Sequence, residues 1–105
     1  MDDRTLLELA AKAAGVDYDK TDSCHVGLWY VSAGGWWNPL TDDGDALRLA
    51  VNLGIDVMVG DGTKFVTTRS QITYSINEYT YMQDKYVATR RAIVRAAAEI
   101  GKEST

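Results

Sequence analysis

Residues 34–49 read GGWWNPLTDDGDALRL, and they offer two readings at once. Two glycines lead into adjacent tryptophans and the only proline, and a run of aspartates follows. Taken as chemistry, the run is a cation loop; taken as architecture, it is the start of a helix. Spacing decides between them. A calcium loop of the EF-hand type needs oxygen ligands at alternate positions, a glycine sixth and a glutamate twelfth. Counted from Asp42, the glycine is third and the twelfth residue is Leu53. Thr41 as N-cap, aspartates in the first turn against the helix dipole and Gly54 as terminator fit throughout. Ala46, Leu49, Ala50 and Leu53 then form the buried stripe of a second helix.

The same reasoning extends in both directions. Leu6, Leu9, Ala10 and Ala13 repeat at helical spacing over about residues 3–14, and Gly15 ends that helix. HVGLWYVS (25–32) is rich in β-branched and aromatic residues and predicts a strand. AGG (33–35) predicts a turn, with Trp36 and Trp37 in a short paired segment, Trp37 inward and Trp36 outward. IDVMV (55–59), TKFVTTR (63–69) and QITYSINEYTY (71–81) predict further strands, with Gly60-Asp61-Gly62 as a hairpin turn. A third helix is expected from Asp84 to Ile100, with Ala92, Ile93, Ala96, Ala97 and Ile100 as its apolar face and Gly101 as its end. Residues 102–105 would form a short disordered tail. The sum is one α+β domain over 1–105: a layered sandwich of three helices and a mainly antiparallel sheet of about four strands.

Composition narrows the function. The chain has 105 residues and a net charge of −4, against which general nucleic-acid binding is disfavoured. No apolar run reaches the roughly 18–20 residues of a membrane span. The N-terminus lacks the basic-then-apolar order of a signal peptide. The single cysteine fits a reducing, cytoplasmic setting. Cys24 and His25 are neighbours on an expected strand and would point to opposite faces, so they form no nucleophile pair; a zinc site needs about three or four ligands and would have to borrow several acids. Asp61 lies between glycines but is followed by strand residues rather than by the helix a dinucleotide loop requires. No catalytic set assembles, and no metal or cofactor is expected.

Two groups of residues remain. Trp29, Trp36, Trp37, Tyr30, Tyr74, Tyr79, Tyr81 and Tyr86 are many aromatics for a chain with one phenylalanine. Most are expected in the core, including Trp37 and either Trp29 or Tyr30. Trp36, Tyr79 and Tyr81 are candidates for a protein contact. Arg90, Arg91 and Arg95 lie on the third helix; a solvated face is their default. The alternative is an anion clamp with Tyr86 and Tyr81 stacking on a base or ring.

WNPLTDDGDALRLAVNLGI (37–55), RRAIVRAAAEIG (90–101) and LLELAAKAAG (6–15) together resemble the small phage and prophage α-β-α sandwich proteins. In those, an aromatic-Pro segment opens one helix and an A-I-x-R-A-A pattern marks the last. The resemblance implies phage origin and fold, and leaves activity open. By analogy of size and context it implies a non-enzymatic accessory protein that inhibits a bacterial defence system by binding a host protein in the cytoplasm of the bacterial cell. The alternative is sequestration of a nucleotide-like small molecule, and homo-oligomerisation stays open.

Overall fold

A computed structural model describes residues 2–21, 27–59, 65–70, 76–80 and 84–103, with backbone alone at 65, 66, 70 and 76–80. The element order is α1 (Asp3–Ala14), β1 (Leu28–Tyr30), β2 (Gly35–Trp37), α2 (Asp43–Leu53), β3 (Ile55–Val59), β4 (Phe65–Ser70), β5 (Ile76–Thr80) and α3 (Lys85–Glu103). It is an α+β fold, and every strand pairing is antiparallel. The strands form two sheets rather than one, β1-β2 and β3-β4-β5.

Local chemistry accounts for the helix ends. The Asp2 carboxylate accepts the Thr5 amide, and Gly15 turns left-handed (φ 73°) to close α1. In α2 the N-cap is Asp42 rather than Thr41, because the Asp42 carboxylate reaches the Asp45 amide at 2.8 Å. The Thr41 hydroxyl turns back to the Asn38 carbonyl. At α3 the Asp84 carboxylate accepts the amides of Tyr86 and Val87.

Helix α3 organises the core. It packs on α1, on α2 and across β3, β4 and β5. Burial therefore extends beyond the expected face to Ala88, Val94, Ala98 and Gly101. Gly101 does not end the helix, which runs on to Glu103 and takes in residues 102 and 103 of the expected tail. A Cβ at Gly101 would collide with the Leu9 carbonyl of α1, so glycine is needed here for close helix approach. Leu6, Leu7, Ala10 and Ala11 of α1 and Ala46, Leu49, Ala50 and Leu53 of α2 complete the core with Leu28, Trp37, Leu40 and Ile55. The α2 stripe is the one its periodicity predicts.

Among the described residues, no helix is long and apolar enough to cross a membrane. The Cys24–His25 pair, the Gly60-Asp61-Gly62 turn, Tyr74 and Tyr81 lie outside the described residues. Tyr79 is placed by its backbone register alone, opposite Val66.

Candidate functional site

Two surfaces carry the expected residues. The first is the β1-β2 hairpin. Its register sets Leu28 opposite Trp37 and Trp29 opposite Trp36. Side chains alternate across a strand, so the first pair enters the core and the second faces out. Trp37 is 7% exposed and Trp36 50%, as the sequence predicts. Trp29 is also outward, and Tyr30 is the member of that pair that packs on the core. The Trp29 and Trp36 rings meet edge to face, with centroids 5.2 Å apart. Exposed Val31 lies beside them in the turn.

The hairpin is strapped from both ends. Gly34 takes a positive φ of 68°, which closes the turn, and its amide donates to the Tyr30 carbonyl. On the outer side, the segment that leaves α1 bonds to β1: the Asp19 amide to the Trp29 carbonyl and the Val31 amide to the Asp17 carbonyl. The Ser32 hydroxyl and amide both donate to the Asp17 carboxylate. The hydroxyl bond comes first in holding Asp17 below the usual carboxylate range, and the amide adds to it. Tyr18, pairing with Tyr30, has its phenol pushed up by burial and by the negative Glu8 nearby.

The second surface is a cleft of about 610 Å³ between α2, β3 and the start of α3. Ala46, Leu47, Ala50, Val57, Val59 and Ile93 give it apolar walls, and Lys85, Tyr86, Thr89, Arg90 and Asp43 give it a polar end. Of the expected anion-binding residues, this cleft unites Arg90 and Tyr86. The arginines do not converge. Arg90 donates to Asp43 of α2 at 2.6 Å and to the Leu40 carbonyl at 2.9 Å. Arg91 donates to Asp3 of α1 at 2.6 Å. Arg95 is exposed and does not line the cleft. Arg90 and Arg91 thus tie α3 to two different helices. Lys85, which the sequence sets with Tyr86 at the start of the third helix, lies 5.9 Å from the centre of the Tyr86 ring.

The aspartates at the start of α2 are similarly committed. Asp42 caps the helix, Asp43 meets Arg90, and Asp45 accepts from Arg48 at 2.8 Å and from the Asn38 amide at 3.0 Å. Among the described residues, no group of three or more acidic, histidine or cysteine side chains is placed to hold a metal. Comparisons with family models, curated proteins and solved structures find no match.

Proposed function

We propose that this chain is a non-enzymatic binding protein that engages a protein partner through the outward tryptophans of its hairpin. The observation that carries this reading is the Trp29–Trp36 pair, half exposed yet held in fixed geometry on a strapped hairpin. Tryptophan dominates interface hot spots, and a contact already ordered in the free protein loses less entropy on binding. The carboxylates and arginines near the cleft are engaged with each other, which favours a contact surface over proton-transfer chemistry. The resemblance of the helices to phage α-β-α proteins supports a phage accessory role in the cytoplasm of a bacterial host, with a defence component as the partner. The packing of α3 between α1 and the β3-β4-β5 sheet supports a layered-sandwich description.

The test is affinity capture from bacterial lysate with wild type and a Trp29→Ala/Trp36→Ala variant. One dominant partner is expected with wild type. The variant should keep its helical circular dichroism and lose that partner by about thirtyfold or more, as for hot-spot truncations above 2 kcal/mol. Equal recovery by both proteins, or recovery of no partner, overturns the reading.

A second reading is favoured by the size of the cleft, which lies within the usual range for small-molecule sites. A nucleotide-like anion would stack on Tyr86 and pair with Lys85, and would displace Asp43 from Arg90. Titration with nucleotides, followed by tyrosine and tryptophan fluorescence, separates this from the first reading: saturable binding lost in Tyr86→Ala supports it.

A further inference from the structure

Strand β3 carries Ile55, Val57, Met58 and Val59 among its five residues, and only Ile55 is buried. Among the described residues it pairs on one side alone, with β4. Among those residues its other row of amides and carbonyls has no strand beside it and forms a sheet edge. Edge strands in monomers are usually guarded by lysine, proline, a bulge or an inward charge. β3 has neither lysine nor proline, and its one charge, Asp56, is already held by Arg69 of β4 at 2.7 Å.

Helix α2 flanks the same edge. It meets the sheet chiefly at β3. It also shows Leu47 and Val51, one turn apart, at 64% and 70% exposure. Leu47 lines the cleft with Val57 and Val59, so the helix stripe meets the strand at Leu47 in one apolar surface. Soluble monomers rarely expose contiguous apolar patches beyond a few hundred Å².

We propose that this surface is a homodimer interface in which β3 pairs antiparallel with β3 of a second copy about a two-fold axis through Val57. The sequence IDVMV suits itself in this register. Val57 faces Val57, Ile55 faces Val59 and Asp56 faces Met58, so no like charges oppose each other across the pair. The two sheets join into one of six strands, ordered β5-β4-β3-β3-β4-β5, and the symmetry closes the assembly. The same rotation brings the two Leu47–Val51 stripes towards each other. A foreign extended peptide would satisfy the strand edge but offers nothing to the helix stripe; a second copy supplies both. The outward tryptophans lie on a different sheet, so the dimer stands independently of partner binding.

Sedimentation equilibrium of the full chain over micromolar concentrations tests this. The expected mass is twice 11.6 kDa. Val57→Lys sets two ammonium groups at the axis and should weaken the dimer by about a hundredfold or more. Leu47→Glu/Val51→Glu, on an exposed helix face, should act in the same direction without touching the strand. The register is read by mild oxidation in a Cys24→Ser background: Val57→Cys should form an intermolecular disulfide readily and Val59→Cys poorly. Cross-strand partners stand about 5 Å apart at Cβ. A monomer at every concentration overturns the proposal. So does a dimer indifferent to both charge variants, or crosslinking stronger at position 59 than at 57. Loss of dimer with the Trp29→Ala/Trp36→Ala variant would also count against it.

Discussion

The β1-β2 hairpin and the β3-β4-β5 sheet both expose apolar residues, but they do so in different ways. In the hairpin, burial alternates strictly: Leu28 and Trp37 lie inside, Trp29 and Trp36 outside. Its outer side is already bonded to residues 17–19, and its exposed surface is a pair of aromatic rings. In β3 the alternation fails, because four consecutive residues after Ile55 are exposed. Alternation needs one wet face and one dry face. α2 and α3 cover Ile55 but leave Val57 and Val59 lining an open cleft. The hairpin therefore presents side chains with the outer side of β1 already bonded, whereas β3 presents side chains and backbone together. The first suits recognition of another protein's surface, and the second suits strand addition.

The sharpest way to break this comparison is to truncate the two adjacent tryptophans separately. Trp37→Ala should destabilise the fold by about 3–5 kcal/mol, the usual cost of removing a large buried aromatic. Trp36→Ala should change chemical-denaturation stability by less than about 1 kcal/mol, as expected of an exposed site. Similar losses for both would mean that the outward ring is structural and would remove the basis for a partner contact.

A smaller effect of opposite sign is expected on the sheet. Thr68 is fully buried opposite Val57, and its hydroxyl has no partner among the described residues. Thr68→Val keeps the shape and removes an unsatisfied polar group, so the melting temperature should rise, by the equivalent of about 1 kcal/mol. A fall would show that the hydroxyl has a partner and that β4 is less dry than β3's apolar surface implies.

The smallest effect concerns the strap on the hairpin. Because hydrogen bonds from Ser32 lower the folded-state pKa of Asp17, their contribution is present above the ordinary aspartate value. It is lost as pH falls through the lowered folded-state value. Ser32→Ala should return Asp17 towards its ordinary value and reduce the acid sensitivity of hairpin amide protection. An NMR titration of the Asp17 carboxyl checks both. An unchanged Asp17 titration would mean that the backbone bridges alone hold the strap.

Much of this was legible in the sequence, for reasons that can be stated residue by residue. The bounds of α1, the buried stripe of α2, the opposed tryptophans and Gly54 as a stop are local. Each follows from period, cap or alternation within a few residues. Asp42 rather than Thr41 as N-cap lies at the edge of that resolution, since adjacent residues compete for the same amide. Gly101 shows a deeper ambiguity. A glycine late in a helix reads equally as a terminator or as a point of close approach, and only the crossing with α1 decides. The arginines were legible as a helical cluster but not as ties, because Arg91 meets an aspartate 88 positions away and Arg90 one 47 away.

By itself, then, the sequence determined which segments are helices or strands and, for α2 and the Trp36–Trp37 pair, which side is apolar, because those follow from short-range periodicity. The tertiary structure decided how many sheets there are, which strand is left at an edge, where a cleft opens and which charges are already spent on each other. Those depend on contacts between segments far apart in the chain, and no local pattern encodes them. GGWWNPLTDDGDALRL shows the division. Its helix start and tryptophan alternation are local, while the commitment of Asp43 to Arg90 exists only once α3 has packed against α2.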